Sequence, residues 1–250
     1  MLRVALVALF LGLATASAVA QSKYAVLSSV GDRVTVVTRA MSTGSNVDTN
    51  RREPMELAGP GLDNAVLLAA EDGIKAADPS AQAVLLAPRT PLAEQAASAS
   101  RDNALEKWAG ETRAQLVPLG ATHLIVISKH RGDARLKVAS GSTGSGKLEG
   151  LGFYVDTSYA AADDNASQTA RGFLASYAYL LIRMVDLQSG RQVGEQIVMA
   201  SSTSVPGVDS TRAWDALPPE GKIAALRALA TKEVEAAMPA LLAQAGKARR

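Results

Sequence analysis

The stretch ATHLIVIS, residues 121–128, decides the fold because it has the length and the apolar content of a buried strand. A shorter run of the same kind, AVLLA at 83–87, precedes it and also predicts a buried strand. The segment between the two runs is rich in Ala, Glu, Gln and Arg, which favour helix. Two apolar strands that flank a helical segment form a βαβ-like unit, which predicts a sheet with helices packed on it.

The helical segment between the two runs carries its own start signal. Thr90 can cap the N-terminus of a helix, and Pro91 suits the first turn. The helical pattern weakens at 98–102, so we expect either one long helix or two broken ones. Upstream, residues 62–77 repeat apolar side chains at helical spacing and predict a further helix.

Two segments near the N-terminus, 24–30 and 33–38, are rich in β-branched residues. Gly31-Asp32 lies between them, and a two-residue loop that begins with Gly suits a type II′ turn. The pattern therefore predicts a β-hairpin. Residues 39–59 are polar and irregular, and we expect a long loop there.

The C-terminal part of the chain predicts strands followed by a helix. Residues 174–186 and 191–200 look extended, and the short turn at 187–190 joins them into a long antiparallel hairpin. Residues 220–244 repeat apolar residues by threes and fours, which is typical of a helix lying on a core. Together these elements predict an α/β (α+β) fold with a mixed sheet, a long C-terminal hairpin and packed helices. We expect residues 21–250 to form one domain.

Residues 1–20 have the pattern of a cleavable signal peptide. Arg3 supplies the positive charge, residues 4–13 are almost wholly apolar, and 18–20 form an A-x-A cleavage pattern. The apolar run is too short for a membrane span, which takes about 20 residues. We expect cleavage after Ala20, a periplasmic mature protein, and no transmembrane segment in that mature protein.

The composition excludes several classes of function. The chain has no cysteine, which excludes disulfides, thiolate metal sites, a cysteine nucleophile and a lipid-bearing cysteine. Only Arg3 of the 26 basic residues lies in the leader, so the mature chain has 25 basic and 24 acidic residues, a net charge of +1. This balance argues against nucleic acid as a partner. No motif indicates a cofactor.

The run GSTGSGKL at 141–148 has the Gly and Lys positions of a phosphate-binding P-loop. Such a loop needs a hydroxyl after the lysine and a helix behind it, but Leu148 stands at the hydroxyl position. The residues at 149–155 contain two glycines and an aromatic run, which suit a strand. We interpret the run as a Gly/Ser hairpin loop.

The few reactive side chains give one catalytic alternative. His130 follows the apolar strand and lies near Asp133 in sequence, so the two are candidate catalytic residues of a hydrolase. Asp163 and Asp164 offer a second acidic partner or a solvated turn. His123 lies inside the strand, and we interpret it as a hydrogen-bonded core residue. The spacing of the two histidines in an extended segment, on the order of 23 Å, argues against a shared metal.

Aromatic residues make up 4% of the chain but cluster between 153 and 179. Phe153, Tyr154 and Tyr159 lie near flexible glycine loops, where aromatic side chains can line a contact with a ligand or a protein. These three are the candidate binding residues. Packing in the core is the alternative role.

Two short motifs resemble those of a group of envelope proteins. The run G-A-T at 120–122 opens the apolar strand as the group's G-A-D does, with Thr122 in place of Asp, and Val185, Asp186 and Gly190 match its V-D-x-x-x-G hairpin turn. The group includes the amino-terminal domain of the Tol-Pal propeller protein, the curli secretion channel subunit and the lipoprotein activators of penicillin-binding proteins. The resemblance implies a binding or assembly role without catalysis.

Three functions follow from these observations. The leading hypothesis is an exported periplasmic binding or assembly module of the bacterial cell envelope, without catalysis, whose partners are other envelope proteins. The second is a periplasmic hydrolase that uses His130 with nearby Asp residues. The third is a small-ligand carrier that uses the aromatic cluster.

Overall fold

Strand β10 (Ala170–Asp186) organises a mixed sheet of nine strands, counted over the part of the chain that the structure describes. This computed structural model describes residues 22–31, 33–40, 48–57, 61–88, 90–101, 104–161, 170–207 and 212–248. The other strands are β1 (Lys23–Ser28), β2 (Arg33–Thr38), β3 (Arg51–Glu56), β4 (Gln82–Leu85), β5 (His123–Lys129), β6 (Arg131–Asp133), β7 (Leu136–Val138), β8 (Gly141–Thr143), β9 (Lys147–Ala161) and β11 (Gln192–Ser204). The helices are α1 (Gly61–Ala77), α2 (Pro91–Arg101), α3 (Leu105–Leu116) and α4 (Pro219–Ala248), with short 3₁₀ turns at Val117–Leu119 and Ala213–Ala216.

Strand β10 has neighbours along both of its edges. One edge pairs antiparallel with β11 over residues 174–185 of β10. The other edge pairs antiparallel with β9 over residues 170–179 and with β5 over residues 180–186. Beside β10 the sheet therefore divides into two parts. We call the part made of β9, β2 and β3 the β9 wing and the part made of β5, β1 and β4 the β5 wing.

The predicted N-terminal hairpin is wrong, although both of its strands exist. In the β5 wing, β1 lies between β4 and β5 and parallel to both. In the β9 wing, β2 lies between β3 and β9. Both edges of each strand are thus occupied by other partners. Asp63 of α1 also fixes the chain just after β1, because it accepts hydrogen bonds from the backbone N–H groups of Val30 and Gly31 at 3.1 and 3.2 Å.

Strands β3 and β4, at the outer ends of the two wings, also depart from prediction. Residues 39–59 were expected to form a loop, but Arg51–Glu56 within them form β3, which pairs antiparallel with β2. Most of its side chains are exposed at the edge of the sheet, which is consistent with its polar sequence RREPME. Strand β4 forms where a buried strand was predicted, yet it lies at the opposite edge and is mainly half-buried.

Successive residues of β10 point to opposite faces of the sheet. On the face that we call the first face, Leu174 and Ile182 pack in an apolar core beneath α1 and α4. On the second face, α2 and α3 cover the β5 wing, where Val185 is buried. The β7–β8 hairpin covers the β9 wing, where Tyr177 is buried. The second face is therefore covered by two separate elements instead of one continuous layer.

Helices α1 and α4 approach closely at Gly73. A Cβ atom added at Gly73 would lie 2.7 Å from the carbonyl oxygen of Glu235 and 2.8 Å from Cγ of Met238, so a larger residue does not fit. Pro239 lies four residues after Glu235 inside α4 and has no N–H to donate to that carbonyl. Gly73 of α1 thus faces the carbonyl of Glu235 in α4. That carbonyl has no helical hydrogen-bond donor, because Pro239 stands at the position that would supply one.

The predicted fold class is confirmed: the fold is α/β with a mixed sheet, a C-terminal hairpin and packed helices. The helical segment after β4 is broken into α2 and α3, and Thr90 Oγ1 accepts a hydrogen bond from the backbone N–H of Ala93 at 3.3 Å. At the hairpin turn, Asp186 accepts hydrogen bonds from the N–H groups of Gln188 and Ser189, both at 2.8 Å. The predicted leader lies outside the described residues.

Candidate functional site

Strand β11 has a free edge, since in the described part of the chain it pairs with β10 alone. The backbone N–H of His130 donates to the carbonyl of Tyr179 at 2.9 Å, so Tyr179 directs its backbone groups away from β11. Met199 stands directly opposite Tyr179 in the antiparallel register. In such a pair both residues direct their N–H and C=O groups away from each other. The odd-numbered residues of β11 therefore direct their backbone groups outward.

The free edge is occupied at one end and flanked at the other. The backbone N–H of Glu195 donates to Gln244 Oε1 at 2.8 Å, and the carbonyl of Glu195 accepts from Gln244 Nε2 at 3.0 Å. Beyond the open stretch, the backbone N–H of Lys137 in β7 donates to Ser201 Oγ at 2.9 Å. Among the residues that the structure describes, none outside β10 pairs with 196–200 between these contacts, a length of about 17 Å.

Two apolar side chains of the open stretch are exposed. Ile197 is 50% exposed and Met199 is 41% exposed, whereas Val198 and Ala200 are buried on the first face. The sulfur of Met199 packs on the bare backbone of Gly132, where an added Cβ would lie 2.8 Å from it. We call residues 196–200 of β11, with these two side chains, the edge site.

The edge site lacks the features that protect natural strand edges from pairing. Such edges usually carry a charged residue, a proline or a bulge. Residues 196–204 contain no charged residue and no proline. The register shift between β10 and β11 falls near the hairpin turn, outside the edge site. This stretch is therefore open to pairing with another strand.

His130 lies at the rim of the edge site. A Cβ added at Gly132 would lie 3.3 Å from His130 Nε2 as well as close to Met199, so ring and thioether border the same glycine. Burial lowers the pKa of His130, and the charge of Glu195 opposes that effect. The neutral imidazole is thus favoured near neutral pH.

Asp133 does not join His130 in a catalytic pair. Its carboxylate binds Lys147 Nζ at 2.6 Å, and the hydrogen bond from Lys147 lowers the pKa of Asp133. Over the described residues, no hydrogen bond or ion pair links Asp133 to the His130 ring. Asp163 and Asp164 lie outside the described residues. The hydrolase hypothesis stays a prediction.

Two of the three candidate aromatic residues, Phe153 and Tyr154, lie in the core. Phe153 is fully buried on the first face and meets Trp214 edge-on at 5.8 Å. Tyr154 is fully buried on the second face, where its hydroxyl accepts a hydrogen bond from the backbone N–H of Ser145 at 3.1 Å. The Tyr159 side chain lies outside the described part of the structure. A binding role for these three residues stays a prediction.

His123 has the core position that the sequence predicts. It is buried, its Nδ1 lies 2.8 Å from Thr122 Oγ1, and its ring stacks on Tyr24 with centroids 5.2 Å apart. Thr122 Oγ1 also accepts from the N–H of Lys23 at 3.1 Å. Thr122 thus joins the starts of β1 and β5.

The P-loop-like run has no helix behind it. Residues Gly141–Thr143 form β8, which pairs with β7, and Lys147 begins β9, so the run contains strand residues where a hairpin loop was predicted. No group of three His, Asp or Glu side chains within the described residues could hold a metal ion. Among the helices that the structure describes, none is both long enough and apolar enough to cross a membrane.

The sequence did not identify Ile197 and Met199 as site residues, although it predicted their strand. The available signal is the uncharged run QIVMA at 196–200, which has apolar residues on both faces. Such a run is equally typical of a strand buried between neighbours. Only the strand order shows that β11 lies at an edge, and the strand order depends on contacts far apart in sequence.

A scan against known protein families finds no match, and a search of curated proteins finds none either. Several solved structures are similar over most of the chain. Protein XCC0632 from Xanthomonas campestris, of family DUF330, is 13% identical with a TM-score of 0.39, over 92% of this chain and 88% of that chain. A PelC dodecamer from Paraburkholderia phytofirmans is 10% identical with a TM-score of 0.30, over 88% and 89%. The hypothetical protein CT253 from Chlamydia trachomatis is 12% identical with a TM-score of 0.33, over 88% and 99%. The resemblance to the envelope group stays a prediction.

Proposed function

We propose that this protein is an exported binding module of the cell envelope that holds an extended segment of another envelope protein along the edge site. The observation that carries the proposal is an uncharged, open strand edge with two exposed apolar side chains. The A-x-A leader pattern supports export. The resemblance of the 120–122 and 185–190 motifs to envelope proteins supports a role in assembly.

Strand addition fits the chemistry of the edge site. Ile197 and Met199 each direct one N–H and one C=O outward, and an added strand can satisfy these groups. Each such hydrogen bond contributes about 0.5–1.5 kcal/mol. The bound segment also covers the two apolar side chains, which gives it specificity through its alternate residues. We expect a segment with apolar residues at alternate positions and no charge at its centre.

The surroundings of the edge site favour a partner segment over a second copy of the chain. Gln244 of α4 occupies the edge at Glu195, and β7 packs over Ser201 at the other end. A single extended segment fits within the open stretch between them. A second copy would bring its own α4 and β7 against the same flanks, because a symmetric pair uses the same patch twice.

The proposal can be tested by photocrosslinking in cells that export the protein. A photoreactive residue at Met199 should give a discrete adduct with another protein, and the same residue at Leu68 should give none. Leu68 is a matched control, since it is 55% exposed on α1. Ile197→Pro should abolish the adduct, because it removes an outward N–H without touching the bonds to β10.

The outcomes separate the alternatives. A thermal melt of the Ile197→Pro variant should show that the domain still folds, because proline is tolerated where the N–H faces solvent. Equal adducts at Met199 and Leu68, or an adduct that survives Ile197→Pro, would contradict strand addition. An adduct of twice the chain's mass would replace the proposed partner with a second copy.

A further inference from the structure

A cavity of about 290 Å³ opens on the second face in the β9 wing, separate from the edge site. Its volume is near the lower end for small-ligand pockets in proteins. Strands from both sides of the wing line it, and four of the lining side chains are basic: Arg52, Lys129, Arg131 and Lys147, with Glu149 as the acidic member and Tyr177 at the base. The cavity is therefore a basic chamber in a protein whose overall charge is nearly balanced.

Two of the four cations already have carboxylate partners. Arg52 binds Asp48 and donates to the carbonyl oxygen of Lys147 at 2.9 Å. Lys147 Nζ binds Asp133 at 2.6 Å. These pairs hold the outer wall of the cavity in place.

The other two cations have no such partner. In the ranges that the structure describes, neither Lys129 nor Arg131 has a carboxylate within ion-pair distance. Lys129 Nζ donates to the backbone carbonyl of Arg33 at 3.2 Å. Glu149, the acidic lining residue, stands opposite Arg131 in the register of β6 and β9 without forming an ion pair. The cavity thus holds two positive groups that an anion could neutralise.

Lys129 is placed in the cavity by a glycine. Gly150 has a φ of 67°, and a Cβ added there would lie 2.8 Å from Cδ of Lys129. The alkyl stem of Lys129 therefore lies against β9 at Gly150, where any larger side chain would collide with it. Burial lowers the pKa of Lys129, and the nearby charges of Glu149 and Asp63 only partly oppose that effect.

The remaining wall supplies a neutral hydroxyl. Tyr177 OH donates to the carbonyl of Thr35 at 3.2 Å, and burial raises the pKa of Tyr177, so the phenol stays protonated. The base of the cavity is thus uncharged, and its positive charge is concentrated at the walls.

We propose that this cavity binds the phosphate or carboxylate group of a small molecule. The Arg131 guanidinium can form a bidentate contact with either group, and the Lys129 ammonium supplies a second charge-assisted hydrogen bond. The ligand is held and not transformed. This inference goes beyond strand addition at β11 and uses none of the edge-site residues. It also places a small ligand among charged side chains, whereas the sequence placed one at the aromatic cluster.

Calorimetric titration of the purified mature protein with phenyl phosphate and with benzoate tests the inference. At least one of the two anions should bind saturably, and benzyl alcohol, the uncharged analogue, should not bind. Arg131→Gln and Lys129→Gln should each weaken binding by about tenfold. Lys107→Gln removes an exposed charge on α3 and should leave the affinity unchanged.

The comparison of the two anions identifies the ligand class, since the tighter one shows whether phosphate or carboxylate is preferred. Arg131 is exposed, so its variant keeps the test valid if Lys129→Gln fails to fold. The inference is overturned if neither anion binds, if benzyl alcohol binds equally well, or if Arg131→Gln binds with unchanged affinity. Failure here leaves the crosslinking result at Met199 unaffected, because the two sites share no residue.

Discussion

The two faces of the sheet are built from the same strands but differ in chemistry. Neighbouring residues of β9 and β10 show the difference: Phe153 and Ile182 lie in the apolar core of the first face, whereas Tyr154 and Arg183 are buried on the second face. Helices α1 and α4 cover the first face. The second face is shared between α2–α3 and the β7–β8 hairpin.

This difference separates stability from binding. A continuous helical layer leaves little polar surface, so the first face contributes mainly hydrophobic burial. On the second face, α2–α3 cover the β5 wing and the β7–β8 hairpin covers the β9 wing. Both proposed sites lie at the margins of these covering elements. Residues placed on the second face should therefore have smaller and more conditional effects on stability than residues of the first face.

The largest expected effect is on the first face. Phe153→Ala should lower the free energy of unfolding by about 3–5 kcal/mol, because it removes a fully buried ring that packs against Trp214. Denaturant unfolding followed by circular dichroism measures the change. Leu68→Ala, at an exposed position of α1, should change it by less than about 0.5 kcal/mol. A loss below about 1 kcal/mol for Phe153→Ala would mean that the first face does not dominate stability.

A buried ion pair on the second face predicts a pH-dependent effect. Burial raises the pKa of Asp156, but hydrogen bonds from Arg39 at 2.6 Å and from Ser158 at 2.8 Å outweigh burial and hold that pKa below its usual value. A carboxyl group whose pKa is lowered by folding stabilises the folded state above its unfolded pKa. This stabilisation is lost as the pH falls through the folded pKa.

Asp156→Asn should therefore lower the free energy of unfolding by about 1–2 kcal/mol at pH 7, since Arg39 is 35% exposed and water weakens its share of the pair. The variant should also lose less stability than the wild type between pH 5 and strongly acidic solution, about pH 2. Unfolding curves at a series of pH values measure both. Parallel pH profiles for the two proteins would show that Asp156 does not couple folding to pH.

Local patterns predicted the elements, and distant contacts decided how they pair. Strand β5 and the β10–β11 hairpin follow from runs of apolar residues and a turn, which are local signals. The hairpin prediction at β1 and β2 was wrong because, although adjacent strands usually pair, β1 pairs with β4 and β5 in one wing and β2 pairs with β3 and β9 in the other. Strand β3 has no apolar alternation, because an edge strand with exposed side chains needs none.

The candidate site was less predictable than the fold. His130 was identified because it follows a strand, and it does lie beside Met199, but its expected partner Asp133 binds Lys147 instead. The basic cavity draws its lining residues from Thr35 to Tyr177, which lie 142 positions apart, so no short sequence window contains it. A sequence can show which residues are reactive, but the register of the strands decides which of them meet.

The smallest expected effect concerns Arg183, the cation buried most deeply on the second face. It is 5% exposed, its Nη2 donates to the carbonyl and the hydroxyl of Ser100, and no partner for its Nε lies within the described residues. Burial lowers the pKa of Arg183, and the charge of Glu195 only partly opposes this effect. A buried guanidinium without a carboxylate contact costs desolvation free energy that its hydrogen bonds only partly offset.

Arg183→Met should therefore change the free energy of unfolding by less than about 1 kcal/mol, or raise it, because methionine fills a similar volume without the buried charge. Arg183→Ala should be less stable than Arg183→Met by about 2 kcal/mol, because it leaves a cavity. The pair of variants separates volume from charge in one unfolding experiment. If Arg183→Met lost more than about 2 kcal/mol, the arginine would contribute to the second face through its hydrogen bonds to α2. The second face would then depend on polar contacts for its stability as the first face depends on apolar packing.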